Sequence, residues 1–424
     1  MGMGHETRAD GAPARGPVPG TEPGGETGAP DGTEWQPPTE VERALYEAKS
    51  RDDWPAYFDA LGNTWLYYPT ARFPLDTVGE RSYAPYWNPA TGSFCIPLFT
   101  VGMLPAPVTD PVYVSKNLQD HAASWPDERY WLAVNPGSPC EAYFPGTMAH
   151  RAVWREHFER AWEERHGRLV TLRVGAPLHG PVAHGLACGA LMFVNNGAHW
   201  NSIAHHGTGY DDEKYLLKKW WGISDRARWQ EYQEQLLRGE MVSSRWEFVL
   251  RVRDTLRRSP AHASGVVPWR EVTGNLARER LRALAADPAD PAEVDTDAEV
   301  EDLQELIGRI MRYESRFRAD GLLPEGGYVR SALAWDYGRA SSMARWGQGA
   351  RFCELAETEQ AVLRAGRVSQ ATYGSWEEFS AGFILGRCLH FDDERFGDWY
   401  ADMLDAHRIL TTDPASPWRN IPFA

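Results

Sequence analysis

Apolar residues along this chain change their spacing twice. In VERALYEAKSRDDWPAYFDALGN (41–63) they recur at helical intervals and stop at the turn signal Gly62-Asn63. Short extended runs follow: TWLYYPT (64–70), SFCIPLFT (93–100), PVYVS (111–115) and YWLAVN (130–135), separated by Pro, Gly and Asp clusters. The turn NPGSP (135–139) closes that series, MAHRAVWREHFERAWEERHG (148–167) predicts an amphipathic helix, and RLVTLRVG (168–175) predicts one more strand. Residues 40–178 therefore predict an α+β domain, with helices packed on one sheet.

From residue 184 onward the period is helical. Helices are predicted at 184–196, 212–221, 226–237 and 244–257. Residues 259–296, rich in Pro and Asp, predict a connector with one short helix at 273–286. In AEVEDLQELIGRIMRYESRF, Val300, Leu303, Ile307, Ile310 and Phe317 then share one face. Further helices are predicted at 329–346, 357–373, 376–390 and 394–409, ahead of an irregular tail, so 184–424 predicts an all-helical domain. Residues 1–38 hold Trp35 as their only large apolar group and predict a disordered tail.

Composition narrows the function classes. The 424 residues carry 44 basic and 59 acidic side chains, a net charge of −15, which argues against nucleic acid or an anionic membrane as partner. Nineteen tryptophans argue for compact, highly buried packing. Five scattered cysteines, never in a CxxC pair, argue against a disulfide framework or structural zinc and for a reducing compartment. No run approaches the ~20 apolar residues needed to span a bilayer, and the N-terminus lacks a signal peptide's apolar run. The expectation is a soluble, cytoplasmic protein.

Candidate chemistry is sparse. His179, His184, His199, His205 and His206 crowd a short stretch with Cys188, but their spacings match no metal motif, so neither a metal nor a cofactor is expected. There is no GxSxG elbow and no phosphate-cradling GK[ST] loop, and no catalytic residue is assigned. NNGAHWN (195–201) could present a small polar pocket from Asn195, His199, Asn201 and His206, or could simply turn the chain at Asn196-Gly197. Ser375 and Glu378 in SWEEF read as a capping box.

The segment WDYGRASSMARWG (335–347) places Asp336, Arg339 and Arg345 among tryptophans inside a predicted helix. At helical spacing Trp335, Arg339, Ser342 and Trp346 form one stripe, with Asp336 one turn from Arg339. An arginine can stack on indole while bonding a carboxylate. Three Gly-Arg steps, at Gly338, Gly366 and Gly386, predict close helix–helix approach, since glycine inside a helix costs up to about 1 kcal/mol against alanine. Two readings stand: a buried network in which Asp336 pairs with Arg339 or Arg387, or a pocket whose arginines receive an anion.

AWDYGRASSMARWG, with VLRAGRVSQATYGSWEEFSAGFILGR, resembles the bacterial domain of unknown function 1266 family. HGLACGALMFVNNGAHWNSI and YLLKKWWGI extend that resemblance over residues 184–424. FCIPLFT, PVYVS and LAVNPGSPCEAYFP resemble an SseB-type N-terminal domain over residues 40–178, although 68–95 departs from the pattern. Neither family implies a reaction. The resemblance points to Trp335, Asp336, Gly338, Arg339, Arg345, Trp346, Ser375, Trp376, Gly386 and Arg387 as family features. Together these observations favour a non-enzymatic protein-interaction or adaptor module with an unknown protein partner. The alternative is an enzyme or small-anion binder using Arg339, Arg345, Arg387 and Asp336.

Overall fold

The computed structural model describes residues 35–71, 83–105, 111–162, 167–173, 176–203, 210–258, 265–285 and 295–424. Residues 37–424 form one compact unit. The tail predicted for 1–38 lies outside the described residues up to 34. Pro38 already belongs to the fold, since its carbonyl accepts from Arg173 N at 2.6 Å.

Helix α1 (Glu40–Ser50) starts where the Thr39 hydroxyl accepts from Val41 N, with acids in its first turn and Lys49 in its last. Helix α2 (Trp54–Gly62) is capped by the Asp53 carboxylate, with proline in its first turn. Strands β1 (Leu66–Ala71), β2 (Tyr86–Asn88), β3 (Ser93–Leu98) and β4 (Pro111–Lys116) follow, then helix α3 (Leu118–Ala123), strands β5 (Tyr130–Val134) and β6 (Ala142–Pro145), and helix α4 (Met148–Trp162). Two sheets result: β1 pairs with β4, and a four-stranded sheet runs β2-β3-β5-β6, with β3 and β5 parallel and the other pairs antiparallel. The central strands are apolar because both faces are covered: Cys95, Ile96, Leu98, Leu132, Ala133 and Val134 are fully buried.

Several boundaries differ from the sequence expectations. NPGSP does not end the strand series but turns β5 into β6. Asn135 adopts positive φ, and its side chain accepts from Thr100 N at 2.8 Å. The strand predicted at 168–175 is absent among its described residues, 168–173, apart from one bridge between Val170 and His199. The Asn201 amide accepts from Leu172 N and donates to Leu172 O, both at 2.8 Å, taking the place of a neighbouring strand.

The helical part begins with α5 (Gly180–Ala187) and α6 (Ala190–Asn195), split at Cys188-Gly189 where one helix was predicted. Next come α7 (Tyr210–Trp221), α8 (Arg226–Arg238), α9 (Ser244–Arg258) and α10 (Val266–Ala285). The connector predicted at 259–296 thus contains a 20-residue helix. Pro268 sits in its first turn, where no amide donor is needed, and buried Trp269 anchors it by donating to Val249 O at 2.8 Å. Helices α11 (Thr296–Ala319), α12 (Ala334–Gly349), α13 (Leu355–Thr372), α14 (Trp376–Phe391), α15 (Asp398–Thr412) and α16 (Pro417–Asn420) complete the chain. Helix α12 starts later than predicted because Glu247 holds the preceding backbone, accepting from Ala332 N at 2.6 Å. Helix α15 also starts late: Asp393, Glu394 and Phe396 have positive φ, and Asp392 accepts from Phe396 N and Gly397 N.

Helix α12 is the centre of the helical part, with fourteen of its sixteen residues buried. It lacks an apolar stripe because every side faces another helix. A Cβ on Gly338 would lie 2.7 Å from the Phe383 ring and 2.8 Å from Cys188 O. One on Gly386 would lie 2.7 Å from Trp335 Cβ.

Gly338→Ala is expected to lower the unfolding free energy by about 1–3 kcal/mol through overpacking. Gly374→Ala, where the new Cβ meets only Glu378 Oε2 at 3.5 Å, should stay within about 0.5 kcal/mol of the parent. Urea denaturation of both variants measures the difference. A second expectation concerns pH. Burial lowers the His407 imidazole to about 4, and its Nδ1 is 2.8 Å from Ser380 Oγ. The unfolded chain, with an ordinary histidine near 6.5, therefore takes up that proton first on acidification, so the stability is complete above about pH 6.5 and is lost towards pH 4. His407→Gln should give a shallower fall in melting temperature across that window, read by calorimetry at a series of pH values.

Candidate functional site

The residues singled out in WDYGRASSMARWG fall on the buried helix α12 and divide into two anchoring points. At the first, Asp336 has no exposed surface. One carboxylate oxygen accepts from Met241 N and Val242 N, each at 2.9 Å, and the other from Arg339 Nη2. Helix α12 is thereby tied to the segment that opens α9. The Arg339 Nε donates to Trp335 O at 3.0 Å, and its guanidinium lies 3.5 Å from the Trp335 ring centre. Burial pushes the Asp336 carboxyl upward, opposed by Arg339 and the two amides, and burial likewise pulls the Arg339 guanidinium down. Three donors take three of the roughly four lone-pair sites of this carboxylate, and its burial shuts it off from water.

At the second point, Arg345 donates to Trp200 O at 3.1 Å and to His199 O at 2.5 Å, with its guanidinium 3.6 Å from the centre of the Phe193 ring. Burial lowers this arginine to about 9. Arg345 thus joins the two candidate sets through main-chain carbonyls, holding the 199–201 segment on α12. Asn201, offered above as a pocket residue, is fully buried and bonded to Leu172 and Pro177. Asn195 donates to the Asn196 side-chain oxygen at 3.4 Å. His206 lies outside the described residues. Among the described residues no group of three or more His, Cys, Asp or Glu is placed to hold a metal.

The remaining candidates sit elsewhere. Arg387 does not reach Asp336: its Nε donates to Trp399 O at 3.2 Å and it lies over the Trp399 ring. Trp346 faces Trp221 and Phe193. Trp376 donates to Ile421 O at 2.9 Å and stacks on Trp418 at 5.4 Å, pinning the C-terminal residues. Ser375 caps α14 by accepting from Glu378 N, but Glu378 reaches back to Gly374 N rather than Ser375 N, so the capping box is displaced by one residue. A complete box occurs instead at Glu354 and Glu357. All five cysteines are buried and free, and burial raises Cys353 to about 11 and Cys188 to about 12, which keeps both as inert thiols.

Sequence reasoning missed the buried ion pair of Arg253 with Glu314, two hydrogen bonds of 2.7 and 2.6 Å between α9 and α11. Its signal was available, because Glu314 falls between Ile310 and Phe317 on the apolar stripe. A charge on that face requires a partner.

Residues 216–423 match the model of the family described as "Protein of unknown function (DUF1266)". The helical part carries a DUF1266 region. It begins inside α7 and covers about half of the chain; it takes in the whole of the first anchoring point and, of the second, Arg345 but not its partners Phe193, His199 and Trp200. The resemblance noted for 184–215 lies ahead of this match. No curated protein and no solved structure gave a match. Among the described residues no helix is long and apolar enough to cross a membrane.

Asp336→Ala in the DUF1266 region is expected to lower stability by on the order of 3 kcal/mol, because it strands the Arg339 guanidinium away from water. Adding Arg339→Ala should then cost much less than Arg339→Ala alone. Equilibrium unfolding of the two single variants and the double variant measures this coupling, and strictly additive losses would show that the two side chains act separately.

Proposed function

We propose that this protein is a non-enzymatic interaction module, an adaptor of the bacterial cytoplasm. In this reading an SseB-type α+β domain (40–178) precedes the DUF1266 helical domain, and a protein partner docks on helix α7. The observation that carries the reading is the outer face of that helix. Tyr215 and Trp220 are 60% and 70% exposed, Leu216 stands beside them, and the Lys219 ammonium lies 5.0 Å from the Trp220 ring centre and 5.6 Å from that of Tyr215. The opposite face packs inward through Glu213 and Leu217. Leu216 and Trp220 stand at i and i+4 with Tyr215 beside Leu216, and large aromatic side chains on a water-facing surface are residue types enriched at protein interfaces. The polar residues singled out as candidates support the same reading from the other side, since Asp336, Arg345 and Asn201 are buried and bonded to backbone groups of the fold itself.

A photo-crosslinking phenylalanine analogue placed at Leu216, in the cells that naturally make the protein, tests this. A discrete protein adduct is expected on irradiation. The adduct should disappear when Tyr215→Ser and Trp220→Ser are added, while the melting temperature holds within about 2 °C, as for surface changes. Irradiation that yields no protein adduct, or an adduct indifferent to the two substitutions, would overturn the α7 reading.

A further inference from the structure

Helices α9 and α11, the first turn of α10 and the segment Gly326–Tyr328 line a cleft of about 260 Å³ that opens to the surface. Its walls divide chemically. Leu256, Trp269 and Met311 supply an apolar side, while Arg253, Arg257 and Arg318 face it with Glu314 as the one carboxylate of the lining. Arg253 and Glu314 neutralise one another, with side chains only 9% and 4% exposed. Arg253 Nη2 also donates to Val329 O at 2.8 Å, and its buried Nε has no hydrogen-bond partner among the described residues. The uncompensated charge in the wall therefore comes from the other two arginines. The Arg257 guanidinium lies 4.2 Å from the centre of the Tyr328 ring, and Arg318 donates a single hydrogen bond, from Nη1 to Gly327 O at 2.8 Å. Neither has a carboxylate partner among the described residues. Two unpaired guanidiniums beside an apolar wall stand out in a chain whose net charge is −15.

We propose that this cleft binds a small organic anion, its carboxylate or phosphate group held by Arg257 and Arg318 and its apolar body laid against Trp269, Leu256 and Met311. Guanidinium forks suit both oxyanions, and a mainly apolar pocket with a few convergent polar groups is the usual build of a small-molecule site. The site is separate from the α7 surface and goes beyond the adaptor reading. Either proposal can fail without the other, because Tyr215→Ser and Trp220→Ser leave the cleft untouched.

The test uses the full chain with four probes at fixed ionic strength: benzoate, phenyl phosphate, inorganic phosphate and the neutral benzamide. Saturation-transfer NMR and thermal shift should show binding of benzoate, phenyl phosphate or both with a dissociation constant below about 1 mM. Inorganic phosphate and benzamide should bind at least about tenfold more weakly. Arg257→Ala, at an exposed position, and Arg318→Ala should each weaken the anion about tenfold or more while the melting temperature of the unliganded protein holds. Absence of binding by both aromatic anions overturns the proposal. So does benzamide binding as tightly as benzoate, which would leave the arginines no role. Inorganic phosphate matching phenyl phosphate would remove the apolar wall from recognition, and an affinity unchanged in both arginine variants would place the anion elsewhere; each also overturns it.

Discussion

A carboxylate out of reach of water persists inside a protein only where donors meet it from several directions. Asp336 fulfils that condition with two backbone amides from the 241–242 segment and one arginine from its own helix. The amides fix the start of α9 against α12, and Arg339 is in turn fixed by Trp335, through its carbonyl and its ring face. Trp335 then settles α14, because its Cβ occupies the space that a side chain on Gly386 would need. One buried charge thus orders three helices. The same logic operates across α9 and α11, where Glu314 and Arg253 neutralise each other and Glu314 also accepts from Val329 N at 2.8 Å, steering the chain into α12.

Close packing around α12 depends on small residues as much as on charge. Gly338, Ala340, Ser341, Ser342 and Ala344 let neighbouring helices approach, and Ser341 donates to Gly185 O at 2.7 Å across one of those crossings. Such a helix carries little apolar periodicity, so its position at the centre is written in residue size rather than in hydrophobic spacing.

This explains which features could be read in advance. Alternation and turn residues located β1, β3, β4 and β5, and helical spacing located most helices, because each of those signals is local. Helix–glycine contacts were legible at Gly338 and Gly386 for the same reason: an energetic cost inside a helix asks for a close neighbour. The short strands β2 and β6 carry too few residues for a pattern. The segment 168–175 looked like a strand because Leu169, Val170 and Leu172 alternate with polar neighbours, yet the partner that satisfied Leu172 was a side chain, Asn201, 29 residues away. Of the candidate site, the Asp336–Arg339 pairing was visible at i, i+3. The choice of backbone amides over Arg387 as the other partners was not, since nothing in the local sequence brings 241–242 to 336.

Satisfied polar groups leave a distinctive division of labour among the arginines. Arg339, Arg345 and Arg253 are enclosed, and each is bonded to a carboxylate or to main-chain carbonyls that it holds in place. Burial disfavours the charged form of Arg339 and Arg345, and the fold offsets that through a carboxylate in one case and two carbonyls with an aromatic face in the other. Arginines so engaged are poorly placed to meet a ligand, because binding would have to break the contacts that order the helices. Other guanidiniums lie nearer the surface, Arg257 resting on Tyr328, Arg387 on Trp399 and Arg318 bonded to Gly327 O. An aromatic face orients a guanidinium without exhausting its donors.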